Sequence, residues 1–128
     1  MAETVNVINL KDAKFREVRP GVKGITLFDE NTPRKNLFSG IFILEPGGKL
    51  DPHYHELEEM QHVIQGYGVV YDSENKEHQV SPGTTFYCPP GSKGSHGIRN
   101  TGDIPFICLY VYSSAGGRRV SSRPLKSQ

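Results

Sequence analysis

The sequence predicts an all-β protein, a single antiparallel β-barrel, on three observations. Short runs rich in β-branched and aromatic residues recur along it, among them Val22 to Phe28, Asn36 to Leu44, Thr84 to Cys88 and Ile104 to Tyr112. Turn-forming clusters separate such runs at intervals of about eight to twelve residues, as all-β chains do. They include Pro46-Gly47, Ser81-Pro82-Gly83, Pro89-Pro90-Gly91 and Thr101-Gly102-Asp103. No long stretch repeats its apolar residues at a helical period, and no internal repeat is evident.

The elements follow in order. Val5 to Ile8 reads as a short strand, and Asn9 to Phe15 allows one helical turn. Pro20-Gly21 breaks the chain before the Val22 to Phe28 strand, and Pro33 marks a turn before Asn36 to Leu44. Val69 to Tyr71 is extended, Ser73 to Lys76 is a polar turn, and Glu77 to Val80 returns as a short partner strand. Thr84 to Cys88, Gly97 to Asn100 and the long apolar run Ile104 to Tyr112 complete the set, before Ser113 to Gly117 ends the fold.

The chain has 128 residues, enough for one domain with a real core. Three parts are expected: an N-terminal segment at 1–35 whose strands pack on the barrel or exchange between barrels, a barrel at 36–114, and a basic flexible tail at 115–128. The net charge of +1 points to neither nucleic acid nor membrane as a partner. The tail carries Arg118, Arg119, Arg123 and Lys126 without an acid, so the preceding body has 11 bases against 14 acids, or −3. Met1 to Thr4 lacks the basic start and apolar run of a secretory signal, and no apolar stretch approaches the ~20 residues of a spanning helix. The two cysteines, Cys88 and Cys108, form no Cys-x-x-Cys pair and read as small buried hydrophobes. A cytoplasmic protein is the expectation.

Chemistry concentrates between Gly47 and Gly66. His53, His55 and Glu59 are two and four residues apart, and even spacing on extended chain puts side chains on one face. On a helix, neighbours two apart diverge, so His53 and His55 do not converge there, and the spacing fits extended chain with room for a bend. Imidazole suits first-row transition metals, and a carboxylate adds an anionic oxygen. His96, beyond Pro89-Pro90-Gly91, is the candidate for a fourth ligand. His62 has the opposite strand parity and His78 lies at an exposed-looking turn edge, so both are read as non-ligands. Gln61 shares the parity of Glu59 and reaches toward the same space. Tyr110 and Tyr112 share one face of the last long strand, and Tyr110 is a candidate acid or orienting donor.

These residues resemble the two motifs of the cupin superfamily. The first runs Gly, five residues, His-x-His, three or four residues, Glu, six residues, Gly, and Gly47, His53, His55, Glu59 and Gly66 keep every interval. The second runs Gly, five residues, Pro-x-Gly, two residues, His, three residues, Asn. Gly83, Pro89, Gly91, His96 and Asn100 match it, except that four residues separate Gly91 from His96. The extra pair is even in number and so keeps the side on which His96 faces. The resemblance covers about residues 36–112. It implies a jelly-roll, or double-stranded β-helix, barrel with metal ligation by His53, His55, Glu59 and His96.

The motifs are not specific to an activity; the leading expectation is an enzyme acting on a small molecule at a mononuclear three-His, one-Glu centre, through oxygenase, isomerase or lyase chemistry. Iron(II) or manganese(II) fits best, with nickel, zinc and copper open. Gln61 and Tyr110 are the candidate catalytic side chains. The alternative, from another class, is a non-catalytic small-ligand-binding or sensor protein with a structural metal. Small cupins often pair barrel to barrel, which implies a homodimer.

Overall fold

The computed structural model describes residues 4–31, 36–119 and 121–124. Eleven strands are present: β1 (Lys14–Arg19), β2 (Val22–Phe28), β3 (Leu37–Leu44), β4 (Lys49–Tyr54), β5 (Glu59–Gln65), β6 (Gly68–Tyr71), β7 (Glu77–Val80), β8 (Thr85–Cys88), β9 (His96–Asn100), β10 (Phe106–Ser113) and β11 (Arg123–Pro124). Three single 3-10 turns, at Leu10–Asp12, Ser92–Gly94 and Ala115–Gly117, are the only helical elements among the described residues. No helix there is long and apolar enough to cross a membrane.

The strands form two antiparallel sheets, ordered β1-β2-β3-β10-β5-β8 and β11-β4-β9-β6-β7. They lie face to face as a jelly roll. Val22, Phe42, Leu44, Val63, Phe106 and Cys108 of the first sheet meet Val70, Val80 and Ile98 of the second in one buried cluster. Strand-to-strand ladder pairing stays within each sheet, leaving two seams, one between β8 and β7 and the other between β1 and β11. The all-β expectation holds, as a two-sheet roll and not a barrel closed by hydrogen bonds.

Register decides what faces inward, because a strand alternates sides at every residue. Phe42 lies opposite Cys108, and Cys108 opposite Val63. Two residues along, Gly40 lies opposite Tyr110, Tyr110 opposite Gln61, and Gln61 opposite Phe86. Two further, Phe38, Tyr112, Glu59 and Cys88 form the next row. Gly40 is required by its neighbour: a Cβ there would stand 2.5 Å from the Tyr110 hydroxyl and 2.8 Å from the Ile25 carbonyl oxygen. Gly66, at φ +92°, lets β5 turn into β6 against the backbone of Phe106, which a Cβ would approach to 2.9 Å.

Three readings differ from the sequence expectation. Val5 to Ile8 is not a strand, and Val5 and Val7 are each 82% exposed; no strand lies alongside to use the pattern. Lys14–Arg19, which has no apolar face, is nevertheless a strand, held by pairing to β2 at the sheet edge. Arg123–Pro124, within the basic tail, pairs with Tyr54 and His53 of β4. The turn expected at Pro33 lies outside the described residues, as do Met1 to Glu3 and Lys126.

Candidate metal centre

Three histidines and a glutamate converge at one end of the interlayer space. His53 on β4 lies directly opposite His96 on β9 in the antiparallel register, with ring centroids 4.5 Å apart. The His55 ring is 5.5 Å from His53 and 6.3 Å from His96. Glu59 opens β5 in the opposite sheet, and its Oε1 stands 3.3 Å from His96 Nε2. The chain therefore turns between His55 and Glu59, and the carboxylate meets the imidazoles across the sandwich. Even spacing along one continuous strand is not what gathers them. Gln61 follows Glu59 on the inward face of β5, as parity predicts, and its Nε2 lies 3.3 Å from His96 Nε2.

The backbone holds each imidazole in the same way. His53 Nδ1 is 2.8 Å from the Asp51 carbonyl oxygen, His96 Nδ1 is 2.9 Å from that of Gly94, and His55 Nδ1 is 3.3 Å from that of Ser121. A carbonyl only accepts, so each Nδ1–H donates, and in the neutral ring Nε2 keeps its lone pair. The two residues in excess of the second motif do useful work here. They are taken up in the Ser92–Gly94 turn, whose Gly94 carbonyl orients His96. Gly94 tolerates no Cβ, which would collide with the Pro89 carbonyl. Asn100, the last motif residue, is structural: its Nδ2 donates to the Leu44 and Ile104 carbonyls, and its Oδ1 accepts from Gly102 N–H.

Glu59 and His96 are 4% and 3% exposed, so their charges are tightly coupled. Burial works against a charged carboxylate, but His96, His55 and Gln61 outweigh it and hold Glu59 below the usual range. Burial also opposes a charged His96, yet contacts from Cys88 and Glu59 push it up to about 10. His53 is lowered to about 4 by burial and by the neighbouring His96. Despite its ion-pair distance from His96, Glu59 Oε1 has no partner in hydrogen-bonding geometry among the described residues. A buried carboxylate oxygen with open acceptor capacity, beside imidazoles tethered through Nδ1, fits a divalent cation.

Cys88 is the residue that sequence reasoning missed. Read as a small hydrophobe, it is buried, but its Sγ and ligand atoms of Glu59 and His96 all lie within 4.8 Å of one another. The signal was its position just before the second-motif Pro89, which has no meaning until β8 is aligned opposite Glu59. Cys108 is an ordinary buried thiol, pushed up to about 12 by burial and by Glu59, with Sγ–H directed to Gln61 Oε1 at 3.6 Å. His62 and His78 are engaged elsewhere, His62 with Thr85 Oγ1 at 2.6 Å and His78 with Asp72 at 2.8 Å.

The cluster stands between two cavities, one at each seam. A cavity of about 350 Å³ is lined by His53, His55, Glu59, Gln61, Tyr110 and Tyr112. On the other side, about 370 Å³ is lined by Cys88, Ser95 and His96 together with apolar residues of β6 to β8. Part of the first cavity's wall comes from the chain beyond β10, through Arg119, Ser121 and Ser122. The imidazoles, Glu59, Gln61 and Tyr110 of that cavity were named from the sequence; its Arg16, Lys23 and Arg119 side was not.

Comparison with known proteins agrees with this architecture. No curated protein matches the chain in sequence. Among solved structures, the polyketide cyclase RemF from Streptomyces resistomycificus superimposes with a TM-score of 0.81 at 20% identity, covering 98% of this chain and 88% of that one. An RmlC-like cupin from Shewanella frigidimarina gives a TM-score of 0.72 at 18% identity, over 90% of this chain and 96% of that one. Bacillus subtilis oxalate decarboxylase, described with Mn(II) centres, gives 0.71 at 23% identity, over 91% of this chain but 31% of its own. The family profile described as Cupin domain matches residues 40–112, more than half of the chain, and the protein belongs to that family.

Proposed function

We propose that the protein is a metal-dependent enzyme acting on a small molecule, with one divalent ion held by His53, His55, Glu59 and His96. The observation that carries this reading is the common tethering of three imidazoles through Nδ1 beside a buried carboxylate, which leaves each Nε2 to a metal once His96 gives up its second proton. Three imidazoles and one carboxylate suit iron(II) or manganese(II), with nickel, zinc and copper open. Bound there, the ion supplies Lewis acidity toward a substrate oxygen.

The protein side of the chemistry is positioning and proton management. Gln61, buried between Cys108 and His96, offers an amide with little freedom to turn. Burial raises Tyr110, so its hydroxyl stays protonated and can donate to a substrate oxygen in the cavity it lines. Oxygenase, isomerase and lyase chemistry all use such a set. The free, buried thiols support a reducing compartment, and we place the protein in the cytoplasm. Exposed Met60 and Tyr87, side by side on the outer face of the larger sheet, support a homodimer through that face.

A second reading rests on Cys88. If its thiolate joins Glu59 and His96 on the metal, protein groups close the shell, and the centre is structural within a ligand-binding or sensor protein. Cobalt(II)-loaded protein separates the two. The enzyme reading expects no intense thiolate-to-cobalt absorption and a visible spectrum that changes when azide is added. A thiolate band abolished by Cys88→Ser, with indifference to azide, establishes the second reading. In either case Glu59→Gln should weaken metal binding about 100-fold or more, measured by competition with a chelator.

A further inference from the structure

The wall facing the candidate ligands is basic and aromatic. Arg16 of β1, Lys23 of β2 and Arg119 beyond β10 all line the 350 Å³ cavity, and Glu59 is the one carboxylate among its described lining residues. Arg119 is fixed in place: its guanidinium lies 4.8 Å from the Phe38 ring centroid and donates through Nη2 to Thr26 Oγ1 at 3.1 Å. Thr26, Phe38 and the Tyr110 side chain, to which Arg119 also bonds, take up part of the fork and one face, leaving further N–H groups for a ligand. Lys23 pairs with Glu45 at 3.5 Å, both partly exposed, so that its charge is only weakly committed. Arg16 has no ion pair among the described residues. Its charge, with that of Arg119, reaches Tyr110.

Beside these cations stands a row of stacked aromatic rings. Phe38 and Tyr112 stack at 5.0 Å and 8°, Tyr110 and Tyr112 at 6.0 Å and 20°, and Phe42 and Tyr110 at 6.3 Å and 25°. Phe42, Tyr110 and Tyr112 of this stacked row line the cavity and offer aromatic contact to an unsaturated body.

We propose that the cavity selects small planar carboxylates, holding the carboxylate between Arg16 and Arg119 and laying the unsaturated body along Tyr110, Tyr112 and Phe42. This deepens the reading of the cavity as a substrate site and rests on it. Carboxylate is chosen over phosphate because guanidinium forks match a planar two-oxygen group. The wall is also built largely of β2, β3 and β10, inner strands whose N–H groups serve the strand ladders and form no phosphate cradle. At about 350 Å³ the cavity lies near the lower end of ligand pockets, roughly 300–1,000 Å³.

The test is calorimetric titration of the full chain, loaded with manganese(II), with cinnamate, cinnamamide, 3-cyclohexylpropionate and inorganic phosphate. Cinnamate should bind about tenfold or more tightly than its neutral amide, and more tightly than the saturated acid. Arg119→Gln should lower cinnamate affinity about tenfold, and Arg16→Gln with it should lower it further. Arg119→Lys should recover part of the loss. Metal content of each variant, by atomic absorption, should be unchanged. Equal binding of acid and amide, tighter binding of phosphate, or full affinity in the double variant overturns the proposal. If Arg119→Gln fails to fold, Arg16→Gln alone and the acid-amide ratio of the unaltered protein still decide it. Arginine-dependent cinnamate binding by protein that takes up no metal would refute the metal reading and leave this one standing. A protein that binds metal but does not prefer cinnamate does the reverse.

Discussion

The two ends of the interlayer space are built on the same strands and behave oppositely. At one end, Leu44 of β3 faces Phe106 of β10, and both are fully buried among Val22, Val63 and Ile98. At the other end, the same faces present Phe38, Tyr112, Glu59 and Cys88. Along β3 and β10 the inward parity runs from one end to the other, while the β10–β5 register shifts once between Ile107 and Cys108; what changes most is the chemistry of the inward residues. The apolar end supplies the free energy of burial and fixes the register. The polar end inherits that register and uses it to aim charged groups that would be costly to bury without a partner. A site of this kind does not stabilise its own walls.

The contrast can be pressed hardest at the apolar end. Phe106→Ala should cost about 3–5 kcal/mol of unfolding free energy, the usual range for a fully buried aromatic. Chemical denaturation measures it. If the loss falls below about 1 kcal/mol, the core does not sit where these strands place it.

A smaller effect belongs to the polar end and is driven by pH. His96, pushed up to about 10, holds a proton through the neutral range, whereas His53, lowered to about 4, does not. Ligation requires neutral imidazole, so metal binding must displace the His96 proton. Apparent metal affinity should then rise about tenfold per unit between roughly pH 7 and 9, and decline as pH falls. Titration in buffers of different ionisation enthalpy should count about one proton released. Affinity that is flat across this window would show that His96 is not displaced from its pairing with Glu59.

How much of this was legible depended on whether a residue's role is set by its own strand or by a neighbouring one. Strand parity placed Gln61 beside Glu59 correctly, because both lie on β5. The motif spacing picked out His53, His55, Glu59 and His96. Of these, Glu59 and His96 are the two whose ligand atoms, with that of Cys88, lie within 4.8 Å of one another among the described residues. The chain passes from His55 to Glu59 by a turn between two sheets, which spacing alone does not reveal. Cys88 acquires meaning only from its place opposite Glu59. Arg119 and Ser121 sit in a polar tail without periodicity, so nothing local marked them as part of a cavity wall. Lys14–Arg19 was missed because an edge strand with both faces exposed needs no apolar pattern.

The smallest expected effect sharpens the same boundary from outside. His62 and His78 carry the same side chain as the ligand candidates but are bonded to Thr85 and Asp72 away from the cluster. Replacing either with Ala should leave metal stoichiometry unchanged and alter stability by no more than about 0.5–1 kcal/mol. Elemental analysis showing lost metal in His62→Ala would move the boundary of the site.

The size of the cavity beside the candidate ligands is set partly by an atom that is missing behind its wall. The Tyr110 ring occupies the space that a side chain at Gly40 would fill, with its hydroxyl 2.5 Å and its Cζ 2.7 Å from the position of such a Cβ. One methyl group added there would have to displace the phenol, and the backbone carbonyl of Ile25, 2.8 Å away, leaves it little room to yield elsewhere. Positions 40 and 110 are thus a lock and its bolt. Any relative that trades the glycine for a larger residue must also trade the tyrosine or accept a different cavity, and the two changes made together will not have additive effects. What the cavity admits can be altered without touching a single residue that lines it.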